Sequence, residues 1–470
     1  MTLLSTLKDK RIVVLGAGLT GLSCARYLHA QGLSFTVNDS REKPFAAGQY
    51  SESNFQQDFS HAKLVTGCWC QESIALADLI IASPGIDLHS SGIHSWINDS
   101  CQVIGDVELF CQVNNARVNP MAILAVTGSN GKSTVVSMLA YLAKVLGENA
   151  QLGGNIGQPV LDLLMPEQAT DMVHSSQPDL VILELSSFQL ETMNSMKAIA
   201  ASVLNLSDDH LDRHKTMANY QAIKQRIYPQ AKIAVINRDD QATVTLDSSQ
   251  QMISFGSDKP TVGNFGVAGE AGEQALRFGE QMLIPLDKLP LAGMHNALNY
   301  LAVLALGYSA GWSLSAMVEN LKGFSGLAHR CQLIETNDDI AWINDSKATN
   351  VGATLAAING LSQTKAADSQ LILILGGEGK GADFSPLSKA INESGAQVIA
   401  LGKDGSQIVE LLGGTLVESL DDAVAKAHEL ATAGDMVLLS PACASIDMFK
   451  NYMERGDKYI ALVHAVAGGA

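Results

Sequence analysis

Short apolar runs recur along the chain, and most end on glycine, serine or a charged residue. Arg11-Ile12-Val13-Val14-Leu15 leads into Gly16-Ala17-Gly18-Leu19-Thr20-Gly21, and a helical stretch to about Ala30 precedes a second run, Ser34 to Asp39. A third, Ala77 to Ala82, ends in Ser83-Pro84-Gly85. Farther on, Met121 to Ala125, Leu180 to Leu183, Leu371 to Leu375 and Asp435 to Leu439 have the length and continuous apolarity of strands buried on both faces. Helical spacing marks Val135 to Leu146, Met217 to Tyr228 and His295 to Leu306. Such alternation predicts βαβ units and mainly parallel sheets, continuing through the central segment to about Gly323. Polar Asn114 to Pro120 reads as a linker. The expected fold is α/β in three domains: a Rossmann-like N-terminal domain over 1–113, a central P-loop ATPase-like domain with a mainly parallel sheet over 114–324, and a C-terminal Rossmann-like α/β domain over 325–470.

Composition narrows the functions. A chain of 470 residues is too long for one core, and 41 glycines with 5% aromatic residues suit an α/β enzyme with many tight turns. The net charge of −17 argues against a nucleic-acid partner, so an anionic substrate needs local basic groups acting against the overall field. Seven scattered cysteines, with Cys68 and Cys70 the close pair, read as reduced thiols of a cytoplasmic protein without a cysteine metal site. Lys8, Lys10 and Arg11 before an apolar run loosely mimic a signal peptide, but glycines at 16, 18 and 21 break the run too early. Leu289 to Val318 lacks Asp, Glu, Lys and Arg, yet Pro290, His295, Asn296 and Asn299 make it a buried helix pair and not a membrane span. No membrane insertion is expected, and a monomer is.

The chemistry centres on Gly128-Ser129-Asn130-Gly131-Lys132-Ser133-Thr134, which stands between an apolar run and a helix. Strand, glycine loop and helix in that order aim backbone N–H groups and the positive end of a helix dipole at one spot, where polyphosphate binds. Lys132 adds charge near the outer phosphates, and the Ser133 hydroxyl is placed to ligate magnesium. Glu184, ending an apolar run, suggests a second protein ligand for that ion. The earlier Gly16-x-Gly18-x-x-Gly21 with Asp39 is a dinucleotide fingerprint. By itself it leaves a nicotinamide, a flavin or any other nucleoside diphosphate open, because the helix N-terminus recognises the pyrophosphate alone. The segment Asp208 to His214 is dense in ionisable groups, and Lys224 on the following helix reads as a surface charge. His295 and Asn296 either border a nucleotide or cap their helix. Cys443 reads as packing in a small-residue turn and not as a nucleophile.

Taken together, GLTGLS at 18–23, TGSNGKST at 127–134, GGNIG at 153–157, ELSSFQL at 184–190, HNALN at 295–299, NDSKATN at 344–350, GGEGKGADF at 376–384 and SPACASID at 440–447 resemble the Mur ligase family over essentially the whole chain. The resemblance implies an ATP-dependent amide ligase of peptidoglycan precursor synthesis that adds D-glutamate to UDP-N-acetylmuramoyl-L-alanine through an acyl phosphate, with ATP and two magnesium ions. It implies Gly18, Leu19, Thr20, Asp39, Arg41, Ser83 and Gly85 around the uridine diphosphate, and Asn155 and His210 at the muramoyl part. It implies Gly128 to Thr134 with Asn296, Arg330 and Asp345 for ATP, and Lys347, Thr349, Lys380, Ser445 and Tyr452 for D-glutamate. Lys224 matches the family's carbamylated lysine, so that Ser133 and Glu184 would hold one magnesium ion and His210 with the Lys224 carbamate another. Lys132, Glu184, His210 and Lys224 are the implied catalytic set, and the last domain is expected to close over ATP. The Lys224 match rests on its Tyr-x-x-x-Lys-x-Arg-Ile-Tyr context, and position 452 is Tyr where the family pattern has Phe. A sibling ligase for another amino acid, a folate polyglutamating relative and a nicotinamide-dependent oxidoreductase are the alternatives.

Overall fold

The computed structural model describes residues 7–45, 50–165, 177–245, 247, 249–270, 273–291, 293–362 and 369–468. The first sheet contains β1 (Ile12–Leu15), β2 (Phe35–Asn38), β3 (Ala62–Val65), β4 (Leu79–Ala82) and β5 (Gln102–Ile104) in the order β3-β2-β1-β4-β5, all parallel. Chain direction around the sheet reverses between β1 and β4, so the loops after these strands open a crevice at their carboxyl ends. The helix Leu19–Ala30 returns tightly over the sheet because position 21 has no side chain: a Cβ there would lie 1.8 Å from the Gly16 carbonyl oxygen.

The second sheet has β6 (Ala122–Thr127), β7 (Ala150–Gly154), β8 (Leu180–Glu184), β9 (Ala198–Val203), β10 (Ala231–Asn237) and β11 (Gln251–Phe255) in the order β11-β10-β9-β6-β8-β7. It too is parallel, with β6 in the interior and the glycine loop at its carboxyl end. The helix Lys132–Leu146 packs between this sheet and the helices Met294–Ser309 and Leu314–Leu321, in one apolar core that absorbs the uncharged stretch noted above. The expected βαβ alternation does not continue to Gly323. Instead β12 (Phe265–Ala268), β13 (Ala275–Phe278) and β14 (Gln281–Pro285) form an antiparallel meander. These strands mix apolar and polar positions and turn at Gly269 and Gly279, both with positive φ, so they lack the continuous apolar runs that marked the others.

The third sheet has β15 (Gln332–Ile334), β16 (Ala341–Asn344), β17 (Leu371–Gly376), β18 (Gln397–Leu401), β19 (Thr415–Leu416) and β20 (Met436–Leu439) in the order β15-β16-β20-β17-β18-β19. Only the β15–β16 pair is antiparallel among them. Three neighbouring strands, β16, β20 and β17, therefore deliver their following loops to one edge.

Two boundaries read from sequence shift. Asn114 and Asn115 belong to the last turn of the helix Asp106–Asn115, and Asn114 exchanges hydrogen bonds with both backbone groups of Met121. The helix that starts at Met217 ends at Gln225, since Pro229 removes a donor from the next turn and a 3-10 turn, Tyr228–Gln230, follows. The first two sheets share one apolar core, and their units are also pinned by Asp162, which accepts from Ser23 Oγ at 3.0 Å and from Arg26 at 3.1 and 2.6 Å. The described core residues of the third unit pack among themselves. Among the described residues no helix is long and apolar enough to cross a membrane.

Because the approach at position 21 is backbone against backbone, Gly21→Ala should cost about 1–3 kcal/mol of folding stability. Urea denaturation measures it, and an unchanged midpoint would contradict this account of the turn.

Candidate functional site

At the carboxyl end of β6 the chain turns through Gly128, with φ of 145°, and Gly131, with φ of 82°, into the helix that starts at Lys132. Neither glycine has room for a side chain. A Cβ on Gly128 would meet Leu204 at 3.1 Å, and one on Gly131 would meet Asn299 Oδ1 at 2.5 Å. Asn205 braces the loop from behind: its carbonyl accepts from Ser129 N, its Oδ1 from Asn130 N at 2.8 Å, and its Nδ2 donates to Asn130 O. Ser129 Oγ donates to the Ser207 carbonyl and lies 3.2 Å from the Tyr220 hydroxyl. The loop is thus held open by its neighbours. The first N–H groups of the following helix have no intrahelical acceptor and face the cavity in front.

That cavity measures about 540 Å³. Ser129 to Thr134, Asn155, Glu184, Asp209, His210 and Lys224 line one side, and Arg330, Asp345, Lys347, Thr349 and Lys380 the other. Its far end is apolar, built from Pro290, Leu291, Leu327 and the helix face Ala353, Ala356, Ala357 and Gly360, beside His295 and Asn296. Middle and last domains also touch directly across it, as Asn350 Nδ2 donates to Asn130 Oδ1 at 3.2 Å.

The charges on its walls are desolvated. Lys132 Nζ turns back onto its own loop and donates to Gly128 O and Ser129 O, both at 2.7 Å, while burial lowers its pKa. Glu184 is 1% exposed; Oε1 accepts from Asn155 Nδ2 at 2.7 Å, and Oε2 is buried with no hydrogen-bond partner among the described residues. An orphaned carboxylate oxygen beside a phosphate loop and the Ser133 hydroxyl is a donor set that suits a divalent cation. Lys224, read from sequence as a surface charge, is 1% exposed. Its Nζ donates to Thr127 Oγ1 at 3.0 Å and lies 4.9 Å from the centre of the Tyr220 ring. Burial, then repulsion from Lys132, holds its pKa far below the usual lysine value, so the amine is poised to lose its proton. Among the described residues no three His, Cys, Asp or Glu side chains cluster to hold a metal without other ligands.

On the opposite wall burial pushes Asp345 up to about 7, against the opposing pull of Ser440 Oγ, Cys331 N and nearby Arg330. Lys347 is drawn down to about 8 by burial and by the charges of Arg330 and Lys132. Its Nζ sits 4.1 Å above the Tyr452 ring, which keeps Tyr452 under Lys347 and off the cavity wall. Ser445 is buried and likewise off the described wall. Cys443 is fully buried, and burial pushes its thiol up to about 12, in keeping with packing.

The remaining predicted residues gather separately, in the crevice of the first sheet. Leu19 is 81% exposed at the start of its helix beside Gly18 and Thr20. Asp39 spends both oxygens on the protein, accepting from Ala17 N at 2.8 Å and from Arg41 N, Nε and Nη2. Burial works against its ionisation, yet these donors hold it below the usual carboxylate range. Ser83 Oγ is buried without a hydrogen-bond partner among the described residues, 2.8 Å from where a Cβ on Gly16 would sit, and Gly85 is exposed beside it. The loop that carries His210 leans towards this crevice: Arg213 pairs with Glu191, lies over the Phe188 ring and reaches the Pro84 carbonyl at 3.5 Å. His210 itself sits in left-handed backbone, with φ of 55°, its ring 4.8 Å from that of Phe188.

Sequence reading assigned no role to Asn205, Tyr220, Asp209, the small-residue face of the helix Val351–Ser362 or the buried Arg455. The alanines at 353, 356 and 357 resemble ordinary core spacing, and Asn205 is one polar residue among many. A buried arginine on an otherwise amphipathic helix leaves no spacing signal.

A phosphate loop facing basic groups from a separate domain is the arrangement of an enzyme that spends a nucleoside triphosphate on a second substrate. Family models match in sequence order: the Mur ligase MurD-like N-terminal domain over 10–105, the Mur ligase middle domain over 126–307 and the Mur ligase glutamate ligase domain over 329–443. The chain is 63% identical to the UDP-N-acetylmuramoylalanine--D-glutamate ligase of Colwellia psychrerythraea over 466 residues, covering 99% of each chain. It is 44% identical to the enzyme of that name from Shewanella violacea, covering 98% of this chain and 97% of the other. The fold is similar to that of UDP-N-acetylmuramate-alanine ligase from Thermotoga maritima, with a TM-score of 0.59 and 17% identity over 97% of this chain and 100% of the other. The chain belongs to the Mur ligase family. It is a ligase, as the family resemblance implied, and ATP is the family's nucleotide.

The Asp345 carboxyl yields a stability test. Between the ordinary carboxylate range and pH 7 the folded chain keeps a proton that the unfolded chain has released, so stability falls across that window and the loss is complete above it. Asp345→Asn should therefore raise the thermal midpoint of the nucleotide-free protein more at pH 8 than at pH 5. An equal shift at both values would contradict the burial of this charge.

Proposed function

We propose that this chain joins D-glutamate to UDP-N-acetylmuramoyl-L-alanine at the expense of ATP, through an acyl phosphate, in the cytoplasm and as a monomer. The observation that carries the reading is the single cavity with Lys132 and Glu184 on one wall and Lys347, Thr349 and Lys380 on the other. The names of the relatives at 63% and 44% identity supply the substrate pair. In this reading the triphosphate lies over residues 128–134, the base and ribose lie towards Asn296, Arg330 and Asp345, and the uridine diphosphate end occupies the crevice around Leu19, Thr20, Asp39, Arg41 and Ser83. Gly18 and Gly85 let the diphosphate approach backbone. Asn155 and His210 then stand between the two, at the muramoyl part.

The alanyl carboxylate attacks the γ-phosphorus and ADP leaves, which turns a poor acyl donor into a good one. The neutral amine of D-glutamate, whose carboxylates are held by Lys347, Thr349 and Lys380 with Ser445 and Tyr452 behind them, then attacks the acyl carbon. The tetrahedral intermediate collapses with loss of phosphate, and the amine's proton passes to His210 or to water. Lys132 leaves the two carbonyls it holds and moves onto the outer phosphates, where its charge offsets what builds up on the transferring group.

Ser133 and Glu184 would hold one magnesium ion, and His210 with Lys224 as a carbamate a second; bound there, the ions neutralise phosphoryl charge. A buried amine with a lowered pKa can add carbon dioxide, exchanging an uncompensated cation for an anionic oxygen ligand. The last domain, with apolar cores of its own, closes on the nucleotide and keeps water from the acyl phosphate.

Lys132→Ala should lower ADP formation at least about 100-fold, in an assay with both substrates; a wild-type rate would show that this loop does not serve the phosphoryl transfer. With ¹³C-labelled bicarbonate, a protein carbamate resonance should appear for the native chain and be missing for Lys224→Ala, whereas equal spectra would exclude carbamylation. NADH should leave the intrinsic fluorescence unchanged, and a saturable change would favour the oxidoreductase reading of the first glycine loop.

A further inference from the structure

Arg455, on the helix Tyr452–Ala467, is 1% exposed, and no carboxylate lies within ion-pairing distance of it among the described residues. Its guanidinium serves three loops. Nε donates to Ser346 Oγ at 3.0 Å, and Nη2 donates to Ser346 O at 2.8 Å and Cys443 O at 3.2 Å. Nη1 has no hydrogen-bond partner among the described residues and lies against Gly377, where a Cβ would come within 3.3 Å of it. Ser346 Oγ passes its own hydrogen to the Tyr452 carbonyl at 2.8 Å, which joins the start of the same helix to the cluster. Two of these loops are also clipped to each other, since Glu378 and Ala444 exchange backbone hydrogen bonds.

Each loop carries a group proposed above for the amino acid: Lys347 and Thr349 follow Ser346, Lys380 follows Gly377, and Ser445 follows Cys443. A structural brace at this spot needs no charge, because an apolar side chain with the carbonyls turned to water would tolerate burial better than an unpaired cation. A buried cation with Asp447 and Asp345 near but no carboxylate in direct contact favours a doubly anionic ligand nearby. Burial draws its pKa only to about 10, so it stays charged at neutral pH.

We propose that Arg455 is a positioning residue for the acidic amino acid: it fixes the relative placement of the three loops and adds a buried positive charge behind them. The proposal rests on the D-glutamate reading given above. Replacing Arg455 by Met should raise the KM for D-glutamate about tenfold or more, with the KM values for ATP and the UDP-linked substrate within about twofold of native. Phosphate release should then exceed amide formation, because an acyl phosphate formed without a held amine is lost to water. Arg455→Lys, which keeps the charge but not the fork, should recover part of the D-glutamate KM. Ser346→Ala, which removes the hydroxyl between Arg455 and Tyr452, should shift the same KM in the same direction and decides the matter if the Met variant does not fold. A uniform fall in activity with all three KM values unchanged, or a parallel rise in all three, would overturn the proposal. A native enzyme that turns over with another amino acid but not D-glutamate would instead overturn the substrate reading, and the variants would then be read on that amino acid.

Discussion

The arrangement depends on holding desolvated cations together in an acidic protein. Lys132, Lys224, Arg330, Lys347 and Lys380 meet at one cavity of a chain whose net charge is −17. Burial lowers the pKa of the first four, because the cavity walls solvate a cation less well than water does. Lys132 shows the accommodation most plainly, folded back onto two carbonyls of its own loop. In the proposed function a polyphosphate would take the place of those carbonyl contacts. Lys224 is the extreme case, its pKa drawn well below the usual lysine value by burial.

Much of the backbone serves to keep that site open. Glycines stand where Asn299, Leu204 and Glu184 approach the turns, and Asn205 holds the phosphate loop by three hydrogen bonds. Carboxyl ends of parallel strands supply most of the chemistry: Glu184 from β8, the phosphate loop from β6, and the Lys347, Lys380 and Ser445 loops from β16, β17 and β20. The first two domains share an apolar core and the Asp162 contacts, whereas the third packs its core alone and meets the second through polar contacts such as Asn350 to Asn130. That division suits a rigid substrate platform with one moving wall.

What the sequence made legible follows from the physics of each element. Continuous apolar runs such as Leu180 to Leu183 have the length of buried strands, and glycines stand at the turn after β6, so these strands and that turn were legible while the order of strands in each sheet was not. The meander β12 to β14 was not, because strands of four or five residues with glycine or polar residues among the apolar ones look like loop until they pair. Lys224 misled for a related reason: a lysine on an amphipathic helix looks solvated, and only the packing of Tyr220 and Thr127 shows that it is not. Asn205 braces a loop 75 residues away in sequence, and Arg455 reaches Ser346 across 109, which no local pattern encodes.

Whether the buried cations serve to transfer phosphate onto a carboxylate is settled by following one oxygen atom. With ¹⁸O in the carboxylate of UDP-N-acetylmuramoyl-L-alanine, single-turnover reaction with ATP and D-glutamate should deliver one labelled oxygen into inorganic phosphate for each amide formed. Phosphate free of label, or label recovered in AMP, would contradict the acyl phosphate and with it the role assigned to this cavity.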